Sequence, residues 1–236
     1  MLFNILTFFD YDLSETFIVV WEGVEGAGKT TLMNEVRKSL REMGYRVLTY
    51  KTPSETETGR FAKEYGNKPT IDSLTRTLLF LANTSDDSRI MKREIEKSNP
   101  DYYFIDRYYL CSIVYGFAYS KLMGVKVDEG DFVSFLKLVE KLGEKIFIKP
   151  NLYIIVDVPE EYRMRRIDRK GAGEGLEGKL EKSSRMQEYV RRFYRAFMEK
   201  HPDKVLRIVN PEGKLDEIRK KLVDELIFRR ESLNKT

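Results

Sequence analysis

The sequence predicts an α/β fold built on a five-stranded parallel sheet. Short apolar, β-branched runs alternate with amphipathic segments of helical period, the pattern of a parallel sheet covered by helices. The first such run, Phe17–Trp21, leads into Gly23-Val24-Glu25-Gly26-Ala27-Gly28-Lys29-Thr30, a G-x-x-x-x-G-K-[ST] loop with a helical pattern directly behind it. Strand, loop and helix in that order are the context in which such a loop binds phosphate.

The remaining strands are expected at Arg46–Tyr50, Tyr102–Asp106, Leu152–Asp157 and Val205–Val209. Each is short, rich in Val, Ile, Leu or Tyr, and bounded by polar residues. Helices are expected near Lys29–Met43, Ser54–Tyr65, Asp72–Lys97, Tyr108–Lys121, Asp131–Leu142, Glu160–Asp168, Lys182–Lys200 and Lys214–Arg229. Asp72, Asp131 and Pro159-Glu160-Glu161 are of the types that cap helices or fill their first turns. No linker, repeat or low-complexity tract divides the chain. Residues 17–236 therefore read as one domain, preceded by an extension over residues 1–16. The apolar stretch Leu2–Phe9 in that extension suits an extra strand, an interface patch or an appendage.

One segment breaks the alternation. Between Arg169 and Lys179, four glycines (171, 173, 175 and 178) stand among charges. A solvated surface loop is one reading. The clustering of Arg165, Arg166, Arg169, Lys170, Lys179 and Lys182 favours the other, a lid over about residues 166–182 whose cations close on phosphates.

Composition narrows the class. Of the 236 residues 34% are charged and 42% hydrophobic, which excludes a largely disordered chain. A net charge of +4 does not mark a general nucleic-acid surface, and no apolar run reaches membrane-spanning length. The lone cysteine, Cys111, forbids an internal disulfide and suits a reducing cytoplasm. A single glutamine among many lysines, arginines and glutamates is a thermophile-like composition.

The glycine loop defines the chemistry. Its backbone N–H groups can converge on phosphate oxygens at a helix N-terminus. Gly23, Glu25, Gly26, Ala27, Gly28, Lys29, Thr30 and Thr31 are thus expected to hold ATP, with Lys29 on the β- and γ-phosphates and Thr30 on Mg²⁺. The third strand ends in Asp106-Arg107. A carboxylate there can hold Mg²⁺ or orient an acceptor; an ordinary strand-terminal Asp is the plainer reading. Arg107 can clamp a phosphate bidentately or simply pair with Asp106. Glu25, inside the loop, suits a hydroxyl of a second substrate or plain solvent. Phe80 stands at helical spacing among aliphatics, where core packing is the default. His201 has no neighbouring ligand types, so zinc is not expected.

Taken together, the residues resemble the thymidylate kinases, P-loop enzymes that phosphorylate dTMP. The resemblance rests on Val24-Glu25-Gly26-Ala27-Gly28-Lys29-Thr30-Thr31, on Leu78-Leu79-Phe80-Leu81-Ala82-Asn83, on Asp106-Arg107-Tyr108, and on a lid after Arg165-Arg166. It implies a three-layer P-loop kinase sandwich with a small lid, ATP and Mg²⁺ as cofactors, nucleotide substrates and a homodimer. It also implies roles for residues: Glu25 binding the 3′-hydroxyl of the acceptor sugar, Phe80 stacking on the base, Arg107 holding the acceptor phosphate, and Tyr115 excluding a 2′-hydroxyl. Gly26 stands where one branch of the family carries a catalytic arginine. The resemblance to the bacterial type then places the charge in the lid, on Arg166, Arg169 or Lys179.

Four positions depart from the family pattern. Glu55 and Thr84 stand where arginines are usual, Cys111 where serine is common, and Gly116 where glutamine is common. Charge-assisted hydrogen bonds contribute about 1.5–3 kcal/mol each, so losing two weakens acceptor binding by about 3–6 kcal/mol. Lys51, Arg60, Arg76 and Arg89 are the cations available to compensate. Fewer arginines would also suit a deoxynucleoside kinase with Glu22 or Glu55 as base. A GTP-binding switch would want N-K-x-D, and the nearest match, Asn67-Lys68-Pro69-Thr70, lacks the aspartate.

Overall fold

The computed structural model describes residues 15–171 and 175–233. Most of the 1–16 extension, and Ala172, Gly173 and Glu174 of the expected lid, lie outside the described residues. Five parallel strands form one sheet: β1 (Phe17–Gly23), β2 (Val47–Lys51), β3 (Tyr102–Asp106), β4 (Leu152–Asp157) and β5 (Val205–Val209), in the spatial order β2-β3-β1-β4-β5. Every residue of β1 and β3 is buried, whereas the edge strands β2 and β5 are only partly so. Strands covered on both faces read as continuous apolar runs, which is why the central ones were legible as such.

The helices are α1 (Lys29–Glu42), α2 (Glu57–Gly66), α3 (Ser73–Ser98), α4 (Tyr109–Leu122), α5 (Glu129–Leu142), α6 (Glu160–Lys170), α7 (Leu176–Lys182), α8 (Ser184–Lys200) and α9 (Leu215–Leu233). Strand order and the right-handed crossover rule assign their faces. The chain leaves β1 toward β2 in one direction and makes every later crossover in the other. Accordingly α1 packs with α9, while α4 packs with α3, α5 and α8. Chain direction reverses at β1, so the crevice beyond its C-terminal end is where a ligand is expected in such a sheet.

Local chemistry corrects several boundaries. The second helix starts at Glu57 rather than Ser54, because Thr56 caps it by accepting the Gly59 N–H at 3.2 Å. Asp131 lies in the first turn of α5, whose cap is Asp128, and the two exchange backbone hydrogen bonds of 2.9 and 3.0 Å in a capping box. Asp72 caps α3 as its residue type suggested. Helix α7 occupies part of the expected lid and was not foreseen, because Gly175 and Gly178 hide its period. Ser183 ends it and caps α8.

Glu22 lies within β1, wholly buried, and does not line the cleft. Its Oε1 accepts the N–H groups of Tyr108 and Cys111 at 3.0 and 3.2 Å, and its Oε2 accepts the Tyr194 hydroxyl at 2.8 Å. It therefore joins β1, the start of α4 and α8, which does not suit the role of base that the alternative deoxynucleoside kinase reading offered it. Burial outweighs these donors and the charges of Arg107 and Lys29, raising its carboxyl from 4.5 to about 7. A carboxyl with a raised folded pKa stabilises the fold below its unfolded pKa and loses that contribution as pH rises. Stability should therefore fall by about 3 kcal/mol from this group across pH 4.5 to 7. Denaturant unfolding at several pH values checks it: Glu22→Gln, whose amide keeps the geometry, should flatten that slope.

Candidate functional site

A cleft of about 1430 Å³ opens at the C-terminal ends of β1, β2 and β3. Pockets for a single drug-sized molecule hold roughly 300–1,000 Å³, so this one has room for a donor and an acceptor. Its floor is the glycine loop between β1 and α1. Gly23 has φ +140°, and a Cβ there would lie 2.0 Å from the Val156 oxygen of β4. Gly28 caps α1 with φ +77°, and a Cβ there would lie 2.8 Å from Asn210 Nδ2. A side chain at either position would break the turn or its support.

Three residues brace the loop from elsewhere in the chain. Asn210 Nδ2 and Arg166 donate to the Ala27 carbonyl at 2.8 and 3.1 Å, and Gln187 Oε1 accepts the Glu25 N–H at 3.1 Å. Arg166, expected to be catalytic, also donates to the Asn210 carbonyl at 3.0 Å, so it buttresses the loop in this conformation.

Inside the cleft the charges are paired. Lys29 and Asp106, 6% and 1% exposed, form a direct ion pair, and Thr30 donates to the other Asp106 oxygen at 3.0 Å. Burial together with Arg107 lowers the Lys29 pKa while Asp106 opposes the fall. Burial would raise Asp106, but Lys29 and Arg107 hold it below its ordinary value. Arg107 pairs with Glu25, which also meets Lys170 at 3.4 Å. Burial pushes Glu25 up, and Arg107, Lys170 and Lys29 together bring it below the usual carboxylate range.

Arg107 has φ +69°, a left-handed backbone that a non-glycine residue adopts at a cost of order 1–3 kcal/mol. Its N–H donates to the Trp21 carbonyl at 3.0 Å and its carbonyl accepts the Thr52 hydroxyl at 3.0 Å, which fixes the strained turn. The guanidinium lies 5.3 Å from the Tyr115 ring centroid, and Tyr115 donates to the Gly23 carbonyl at 3.3 Å. Cys111 accepts from Arg107 at 3.1 Å, and burial pushes its thiol up to about 11, so it is no nucleophile.

The structure thus gathers Glu25, Lys29, Thr30, Asp106, Arg107 and Tyr115 into one cleft. Phe80 also lines it, but its ring is not bare: Gly66 packs at one edge and the Arg76 guanidinium lies 4.8 Å from its centroid. Arg169 does not line the cleft; it is exposed and pairs with Glu212 at 3.1 Å. Lys179 is exposed on α7 and likewise not part of the lining. Glu55 is exposed and paired with Lys63, which does not suit a general base. Lys170 was expected among the lid cations, but Gln187 and Asn210 were not anticipated. Asn210 had one signal, its place just after a strand and before Pro211-Glu212-Gly213.

A sequence model described as thymidylate kinase matches residues 21–222. The thymidylate kinase of Caldicellulosiruptor saccharolyticus is 31% identical over 221 residues, covering 90% of this chain and 98% of that protein. A probable thymidylate kinase of Archaeoglobus fulgidus is 26% identical over 206 residues, with 87% and 92% covered. Among solved structures, Ehrlichia chaffeensis thymidylate kinase superposes with a TM-score of 0.61 at 18% identity, covering 89% of this chain and 98% of the other. The Candida albicans thymidylate kinase gives 0.62 at 20%, covering 92% and 94%. These two structures share the fold.

Because Asn210 supplies a buried hydrogen bond to the loop, Asn210→Ala should weaken nucleotide binding about tenfold. Calorimetric titration with ADP checks this; unchanged affinity would show that the loop holds its shape without Asn210.

Proposed function

The chain belongs to the thymidylate kinase family, and we propose a division of labour among its residues for the reaction that membership carries, transfer of the γ-phosphoryl group of ATP to dTMP to give dTDP. The observation that carries it is the pairing of two of the cleft's cations with carboxylates: Lys29 with Asp106, and Arg107 with Glu25.

The ATP phosphates enter the glycine loop, and Lys29 exchanges Asp106 for the β- and γ-phosphate oxygens. Thr30 and Asp106 place a hydroxyl and a carboxylate oxygen 3.0 Å apart at the mouth of the loop. Such hard oxygen donors suit Mg²⁺, which takes few protein ligands and keeps phosphate and water oxygens for the rest. When bound, Mg²⁺ supplies charge neutralisation across the β- and γ-phosphates. The described residues hold no cluster of three or more His, Cys, Asp or Glu side chains fit for a metal, which accords with an ion held largely by its substrate.

The acceptor enters beside Phe80 and Tyr115. Its phosphate takes Arg107, and its 3′-hydroxyl takes the carboxylate that Arg107 releases, Glu25. Lys51, at the end of β2 and in register with Asp106, is the second cation offered to that phosphate. Lys170 and the cations on α6 and α7 follow when the lid closes and excludes water, so that transfer outpaces hydrolysis. The two carboxylates offered as base for a deoxynucleoside kinase are otherwise placed, Glu22 buried and Glu55 paired to Lys63.

The assembly proposed is a homodimer. Adjacent helices α2 and α3 each expose an apolar i,i+4 pair, Phe61 with Tyr65 and Leu74 with Leu78. Lone surface hydrophobes need no explanation, but paired ones on two packed helices suit a second copy of the chain. No helix among the described residues is long and apolar enough to cross a membrane, and the proposed setting is the cytoplasm.

A coupled ADP-release assay with ATP and Mg²⁺ tests the reaction, with dTMP, dUMP, UMP, CMP, AMP and thymidine as acceptors. dTMP should lead, and a lead for thymidine would overturn the reading. Lys29→Ala should lower kcat by roughly 100- to 1,000-fold or more with the fold intact. Light scattering should give twice the chain mass, and Leu78→Glu should shift it toward the monomer.

A further inference from the structure

We propose that Glu22 is a positioning residue for the acceptor half, whose carboxylate fixes the strained turn that presents Arg107. The inference rests on the reading above, in which Arg107 takes the acceptor phosphate, and deepens it.

Arg107 holds a left-handed backbone that its residue type does not favour, so its geometry is set by what grips the chain around it. Strand β1 supplies two consecutive grips. The Trp21 carbonyl accepts the Arg107 N–H at 3.0 Å, and the Glu22 carboxylate accepts the next one, the Tyr108 N–H, also at 3.0 Å. Three residues further on, Glu25 pairs with the Arg107 guanidinium. The end of β1 and the loop behind it thus hold both the backbone and the side chain of this arginine.

Glu22 also caps α4 from another strand. Tyr108 stands at the cap position of that helix, and its own side chain makes no capping bond. Its hydroxyl is engaged by Ser88 and by the Ile148 N–H instead. The vacant capping role falls to Glu22 Oε1, which accepts the Cys111 N–H in the first turn at 3.2 Å. One oxygen therefore ties the Arg107 turn to the helix that carries Cys111 and Tyr115. A negative charge there also meets the positive end of the helix dipole.

A glutamine at this position would accept the same two N–H groups without the cost of burying a charge. What a carboxylate adds is a change of state near neutrality, since burial pushes it up to about 7. The charges that act on it are those of Arg107 and Lys29. Its titratable neighbours are Tyr194 of α8, Cys111 of α4 and Tyr153 of β4, and burial pushes all three up, so they stay neutral where Glu22 ionises. Hydrogen bonds to an ionised acceptor are roughly twice as strong as those to a neutral one. The ionisation that costs the fold stability is thus the one that tightens the turn at Arg107.

The test measures KM and kcat for dTMP and ATP in the full chain with Mg²⁺, wild type against Glu22→Gln, between about pH 6 and pH 8, either side of the Glu22 pKa. The phosphate of dTMP titrates alike in both assays, so the ratio of the two KM values for dTMP isolates residue 22. That ratio should be close to unity at the acid end and rise about 3- to 10-fold at the alkaline end, with KM for ATP unchanged and kcat within a few-fold. Tyr194→Phe removes a donor that lowers the Glu22 pKa and leaves both N–H bonds in place. It should carry the fall in wild-type KM to higher pH, whereas a residue that only braced the fold would move nothing. A ratio flat across the range, or equal rises in KM for dTMP and ATP, would overturn the assignment. Should Glu22→Gln not fold, the profile of Tyr194→Phe against wild type carries the test, and coincident profiles overturn it. A wild-type chain inactive on every monophosphate would overturn the kinase reading itself, an outcome distinct from an active enzyme indifferent to residue 22.

Discussion

The nucleotide cleft depends on keeping buried charges paired. Lys29 and Asp106 are almost fully out of solvent, and Arg107 and Glu25 are largely so. A charge left alone in such a place costs several kcal/mol, and the pairing keeps Lys29 and Arg107 from that cost in the unliganded cleft. Under the proposed division of labour both cations pass to phosphates, and the released carboxylates to a metal ion and a sugar hydroxyl. Binding would then be an exchange of partners, in which no step requires an isolated buried charge.

That exchange needs a rigid frame, and the frame is made from distant pieces of chain. Gly23 lets β1 press on β4, and Asn210, Arg166 and Gln187 grip the loop from three later segments. The left-handed turn at Arg107 is tied at both backbone groups. Below it, Glu22 fastens β1 to α4 and α8 and does not line the cleft. Two acidic residues three positions apart thus do unlike work: Glu22, within β1, holds the fold, and Glu25, in the loop, lines the cleft.

What could be read from sequence was what is local. The glycine loop, Asp106-Arg107 and the buried central strands declare themselves within a few residues, because period and turn chemistry act over that range. Helix α7 stayed hidden among glycines, and Asp131 was legible at the start of α5 whereas its cap, Asp128, was not. The braces on the loop were illegible for a different reason. Asn210, Gln187 and Arg166 lie 183, 162 and 139 residues from the groups they contact, and nothing in spacing reports such a meeting. Arg76 was visible as a cation, but its place against the Phe80 ring was not. Gly116, visible as a departure, found its cause in Thr77, whose Oγ1 would lie 2.0 Å from a Cβ there.

A crystal structure with ADP, Mg²⁺ and dTMP bound would show whether substrates displace the cleft's own ion pairs. Lys29 should lie on the β-phosphate, Asp106 should turn toward the metal, and Arg107 should hold the acceptor phosphate with Glu25 at the sugar. A complex in which Lys29 still holds Asp106 and Arg107 still holds Glu25 would contradict that exchange.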